Sequence, residues 1–68
     1  MTATSEAIID ISYDRERAKL VVAFDDGDRY VYVGVPGDVH RSLLEADSMA
    51  RFFAYEIRDR YPFNKLDA

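Results

Sequence analysis

Apolar residues recur at every second position in three stretches of the chain and then change period. In residues 7–13, Ile9, Ile11 and Tyr13 fall on one side and Asp10 and Ser12 on the other, the alternation of a half-buried strand. Residues 14–17, Asp-Arg-Glu-Arg, are wholly charged and predict a short turn. In residues 19–24, Leu20, Val22 and Phe24 alternate with Val21 and Ala23, predicting a second strand. Asp25-Asp26-Gly27-Asp28 carries the Asp-Gly pair favoured in hairpins, and the β-rich residues 29–34 resume as a third strand.

The period changes at Val35-Pro36. Proline keeps the residue before it out of the α region while itself suiting a helix start, so sheet gives way to helix there. Asp38 favours the positive end of that helix. Val39, Leu43 and Ala46 share one face, with Leu44 beside them, predicting an amphipathic helix over residues 36–45. Asp47 or Ser48 can cap a second helix that runs to about residue 60 and stops at Tyr61-Pro62, with a core stripe of Met49, Phe53 and Ile57 flanked by Phe52. The predicted architecture is α+β: a three-stranded antiparallel meander followed by two amphipathic helices packed on the sheet, β-β-β-α-α.

The hairpin at Gly27 controls where the tyrosines point, because a one-residue change of register turns a strand over. Two geometries are compatible with the residues. A two-residue Asp26-Gly27 turn sets Tyr30 and Tyr32 beside Val21 and Ala23, on the face away from Leu20 and Val22, as an aromatic platform. A three-residue turn over Asp25-Asp26-Gly27, with Gly27 left-handed, sets them beside Leu20 and Val22 as core or core-edge rings. Packing alone accounts for tyrosine in strands, so the plainer reading of both is a partly buried ring with a wetted hydroxyl.

A domain of 68 residues buries about 60% of the surface its unfolded chain exposes and has room for one core, so a single domain is expected, with its ordered part at about residues 5–63. With no cysteine there is neither a disulfide framework nor a thiolate metal site, and packing must carry the stability. No signal-like start and no apolar run of membrane length occurs, which points to a cytoplasmic protein without a membrane partner.

The net charge of −4 argues against nucleic-acid binding by the overall field, but the deficit is local. Residues 1–45 hold nine acids and five bases, whereas residues 46–68 hold four of each. Within that balanced part, Arg51, Tyr55 and Arg58 lie in one narrow stripe at about 100° per residue, nearly opposite Phe53. Guanidinium forks suit phosphates, and a ring between them suits an unpaired base. Arg60 and Lys65 would widen the patch, or else neutralise Asp59 and Asp67. The plainer reading of the stripe is a solvated helix face with a Glu56–Arg60 pair one turn apart.

Other chemistry finds little support. Asp25, Asp26 and Asp28 surround a glycine, but Phe24 and Val22 stand where a calcium loop needs oxygen ligands, so no metal is expected. His40 is the single histidine, and a helix points Asp38 and Ser42 away from it, so no Ser-His-Asp site is encoded locally. Gly27, Gly34 and Gly37 each sit at a structural break rather than in a phosphate cradle. No cofactor and no enzymatic activity are expected.

The order of these signposts resembles the KTSC domain, a short module found at the C-terminus of some lysyl-tRNA synthetases and alone in bacterial proteins. The resemblance rests on Ser5 with Ile8 and Ile11, Tyr13-Asp14, Leu20-Val22-Phe24, Gly27 and Tyr30-Tyr32, and it continues through Val35-Pro36, Leu43-Leu44, Ala46-Asp47-Ser48, Phe52-Phe53, Ile57-Arg58 and Tyr61. It departs from the family pattern at Met49-Ala50, where Lys-Gly is frequent, at Ala54, where Asn is frequent, and at His40 in place of a tyrosine. The resemblance implies no assigned reaction, and its synthetase context suggests binding of RNA, either tRNA or single-stranded. The residues available for that are Tyr30, Tyr32, Arg51, Tyr55, Arg58 and Arg60. The alternative is a protein–protein interaction module docking through an exposed apolar patch that includes Phe52.

Overall fold

A computed structural model describes residues 8–66, so the expected strand start at Ala7, together with Ser5 and Asp67, lies outside the described residues. Strands β1 (Ile8–Asp14), β2 (Lys19–Phe24) and β3 (Arg29–Val33) form the expected meander. Helices α1 (Gly37–Glu45) and α2 (Met49–Glu56) follow, and a fourth strand, β4 (Phe63–Leu66), returns to the sheet. The sheet is antiparallel in the order β1-β2-β3-β4.

The expectation of three strands is therefore corrected to four. Phe63-Asn64-Lys65-Leu66 has no alternation of its own and becomes a strand through its partner. Val33 donates to the Pro62 carbonyl at 2.9 Å, and Tyr32 then pairs with Phe63 and Tyr30 with Lys65. The helix expected to reach residue 60 ends at Glu56, because Ile57 leaves helical geometry. Arg58 N–H reaches back to the Phe53 carbonyl at 2.9 Å, and Ile57 then supports a further turn to Tyr61. Those turns swing Pro62 back against β3.

The first strand also differs from its pattern. Ile8 pairs with Phe24 and Asp10 with Ala23, so Ile9 is the extra residue of a β-bulge. Ile8 takes the core-side place that strict alternation assigns to Ile9, which is left 64% exposed, while Ile11 and Tyr13 pack as expected.

The β2–β3 turn takes the three-residue form. Phe24 N–H donates to Asp28 O and Gly27 N–H to Phe24 O, with Gly27 at φ +93°. The Asp26 carboxylate accepts from Asp28 N–H at 2.9 Å, so only one residue of the loop needs positive φ. Leu20 consequently faces Tyr32 and Val22 faces Tyr30.

Among the described residues eight buried side chains form the core: Leu20, Val22, Phe24 and Tyr32 from the sheet, Val35 from the link, Leu43 from α1, and Phe53 and Ile57 from α2 and its cap. The helices cover one face of the sheet. Met49 and Phe52 are half-buried against this core, so Phe52 is a packing residue rather than an exposed patch. The Ser48 hydroxyl caps α2 by accepting from Arg51 N–H at 3.2 Å.

The β1–β2 turn is tied down by Asp14, which accepts from Glu16 and Arg17 N–H and from the Arg17 guanidinium. Those bonds, the side-chain one from Arg17 foremost, hold its carboxyl below the usual value. Ala18 follows at φ +54°, and its carbonyl accepts from both Gly34 and Val35 N–H at 2.9 Å. An alanine in the left-handed region is strained where glycine is not. Ala18→Gly is expected to raise stability by about 0.5–1 kcal/mol, the relief exceeding the added freedom of the unfolded chain. Urea denaturation of the two proteins checks this, and a loss of stability would show that the alanine is unstrained.

Candidate functional site

Three aromatic residues of the β3–β4 pair, Tyr30, Tyr32 and Phe63, stand opposite α2 and give the molecule a groove of about 740 Å³. One wall is α2 and its C-terminal turn: Arg51, Ala54, Tyr55, Arg58 and Asp59, with Ser48 and Ala50 at the helix start. The other wall is the sheet, through Tyr30, Tyr32 and Phe63, and Phe24 and Phe53 form the floor. The helix wall follows from local sequence. With Phe53 turned into the core, the stripe about half a turn away must face outward, and it leans over the edge of the sheet.

The rings interlock mostly edge to face. Tyr32 meets Phe53 at 5.2 Å and 85°, Phe24 meets Phe53 at 5.6 Å, and Tyr30 meets Phe24 and Phe63 at 5.8 Å each. Tyr32 and Phe63 lie 5.2 Å apart and tilted by 32°. Such contacts hold the groove wall in place before any ligand arrives.

Five of the six residues expected at a site line this one groove: Tyr30, Tyr32, Arg51, Tyr55 and Arg58. Their exposures divide them. Tyr55 is 72% exposed, Arg51 and Arg58 are exposed, Tyr30 is half-buried, and Tyr32 is 3% exposed and belongs to the core. The platform of two open tyrosines does not form, because the three-residue turn places both rings on the core side. Arg60 does not line the groove and stands 4.0 Å from Glu56, the pair expected one helical turn apart. Lys65 is held by Asp28 at 3.4 Å, and this hydrogen-bonded partner raises its ammonium pKa.

Phe63, 50% exposed, is the groove residue that strand periodicity missed. Its one sequence signal was an aromatic directly after the Tyr61-Pro62 break. Ala50 and Ala54, marked in the sequence only as departures from the family pattern, also line the groove, and their short side chains leave the space between Arg51 and Tyr55 and the sheet.

Burial pushes the Tyr32 phenol up to about 12, against the pull of the Arg58 charge. The neutral phenol is the form the fold favours. Its contribution is therefore complete below the ordinary value of 10.0 and is lost as pH rises from there through about 12. A phenolate absorbance titration should show Tyr32 ionising late, together with alkaline unfolding, and Tyr32→Phe should remove that late step. A late step that survives in Tyr32→Phe would place the buried phenol elsewhere.

Of the residues weighed for catalysis and metal binding, Ser48, His40, Asp26 and Asp28 make structural contacts. The Ser48 hydroxyl caps α2 in the groove, whereas His40 stacks on Tyr13 at 4.5 Å in a separate depression. Asp26 and Asp28 are engaged by the turn and by Lys65. Among the described residues no cluster of three or more metal-ligating side chains occurs, and no helix is long and apolar enough to cross a membrane.

Comparison with known proteins gives concordant findings. A family model described as the KTSC domain matches residues 4–61. An uncharacterized protein of Stutzerimonas stutzeri (strain A1501) is 43% identical over 49 residues, spanning 72% of this chain and 69% of that protein. The crystal structure of a KTSC domain protein from Yersinia pestis superposes with a TM-score of 0.84 at 31% identity, over 97% of this chain and 92% of that one.

Proposed function

The chain belongs to the KTSC domain family, and on that premise we propose that it is a small non-catalytic binding module whose groove between α2 and β4 takes single-stranded RNA. The observation that carries the reading is the pairing of walls: Arg51, Tyr55 and Arg58 on the helix across from Tyr30 and Phe63 on the sheet. Two guanidiniums without an ion pair among the described residues flank an exposed ring, a combination that suits a phosphate on either side of an unstacked base. Duplex bases are closed to such stacking, which favours the single-stranded form. Tyr32 supports the wall from beneath and does not itself touch RNA. Arg60, paired with Glu56, contributes at most to the outer field.

The net charge of −4 opposes a long polyanion, so affinity should be modest and strongly dependent on salt. The test is an amide-resolved NMR titration of the labelled chain with a short single-stranded RNA and with tRNA at about 50 mM and about 200 mM salt. Shifts at Tyr30, Arg51, Tyr55, Arg58 and Phe63 that fade at the higher salt are expected. Silence at the lower salt rules the reading out.

The alternative, a protein partner, draws on β4 being the edge strand beside the groove. An extended peptide could pair there, and its binding would resist salt.

A further inference from the structure

On the α1 side of the molecule, a second depression of about 540 Å³ is lined by Tyr13, Arg15, His40, Arg41 and Leu44, with Gly37 and Asp38 at its end. We propose that it is a phosphate-binding site, held by Arg15 and Arg41. Its charge runs against that of the chain as a whole: two exposed guanidiniums face one carboxylate, Asp38, beside the His40 ring, in a protein of net charge −4. Arg17, in the same turn as Arg15, is paired with Asp14, whereas neither Arg15 nor Arg41 forms an ion pair among the described residues, a state they share with Arg51 and Arg58.

The two cations come from different elements, Arg15 from the β1–β2 turn and Arg41 from the middle of α1. The backbone segments that carry them are held together by rigid parts. The Tyr13 hydroxyl donates to the Val35 carbonyl at 2.6 Å, locking the end of β1 to the chain entering α1. The His40 ring lies nearly parallel to the Tyr13 ring, at 17° and 4.5 Å, so α1 cannot roll away from β1 without breaking that stack. The β1–β2 turn is held in addition by the two bonds from Gly34 and Val35 to the Ala18 carbonyl. A phosphate with two or three anionic oxygens can accept from both guanidinium forks at once, which a single carboxylate does less well.

The phosphate could be a free anion, the group of a mononucleotide, or a backbone phosphate of RNA. The full labelled chain is titrated with inorganic phosphate, with a nucleoside monophosphate and with a short single-stranded RNA, against matched sodium chloride. Saturable shifts at Tyr13, Arg15, His40 and Arg41 are expected with at least one phosphate probe and not with chloride. The probe that works identifies the source. Arg15→Gln with Arg41→Gln should weaken the binding about tenfold or more. Both side chains are exposed, so the variant keeps the fold.

No saturable shift at these residues with any probe, or unchanged binding by the double variant, overturns the proposal. Neither outcome touches the groove between α2 and β4, whose response to RNA is read from Tyr55, Arg58 and Phe63 in the same spectra. Conversely, a silent groove with a responding Arg15–Arg41 site would remove the RNA-groove reading and leave this one standing.

Discussion

Phe53→Ala is expected to cost about 3–5 kcal/mol, more than any other single truncation of a helix residue in this chain. Phe53 is the one α2 side chain that enters the centre of the ring cluster, 5.6 Å from Phe24 and 5.2 Å from Tyr32. Its loss opens a cavity bounded by strands that cannot collapse inward without breaking their pairing. At roughly 0.05–0.15 kcal/mol per residue, a domain of 68 residues has about 3–10 kcal/mol in hand. The variant should therefore lose a third or more of its stability, read as a large fall in its urea midpoint by circular dichroism. Phe52→Ala, at a half-buried neighbour, should remain folded and lose roughly 1–2 kcal/mol. If the two variants lose equal stability, α2 is not docked through Phe53.

The contrast between these adjacent phenylalanines was legible beforehand, because Met49, Phe53 and Ile57 mark one helical face and Phe52 its margin. The β2 strand was legible for the same reason: Leu20, Val22 and Phe24 are buried on one side in strict alternation. Where reading failed, a neighbour decided the outcome. Ile9 has the hydrophobicity and the parity of a core residue, and only its pairing with β2 makes it the bulged one. The turn at Gly27 permitted two registers, and the form that buries Tyr32 against Phe53 and Phe63 prevailed. Burying those aromatic faces stabilises the protein by far more than the local difference between two turn types.

The fourth strand is the clearest case. Its four residues carry two polar side chains and too few positions for a period, so nothing local marks them as strand. They are strand because β3 offers a free edge and the early end of α2 delivers Pro62 to it. The candidate groove inherits that division. Its helix wall of Arg51, Tyr55 and Arg58 follows from angular spacing within eight residues, whereas Phe63 on the opposite wall depends on a contact between residues 31 positions apart, Tyr32 with Phe63. A site assembled half from local periodicity and half from tertiary pairing is half visible in a sequence.

That same division yields the most informative binding experiment. Arg51→Gln with Arg58→Gln removes two cations from the helix wall and leaves every core contact in place, so the fold should be unchanged. For a short single-stranded RNA, each phosphate contact contributes about 0.7 to the slope of log affinity against log salt, so the double variant should flatten that slope by about 1.4. Its affinity at about 50 mM salt should fall by tenfold or more. Tyr55→Ala should behave differently: stacking is worth roughly 1–3 kcal/mol per base and releases no counterion, so affinity should fall with the slope preserved. Fluorescence anisotropy of a labelled RNA across a salt series separates the two terms. A slope that the double arginine variant does not move would mean that phosphates are held elsewhere, and the Arg15–Arg41 site would become the first place to look.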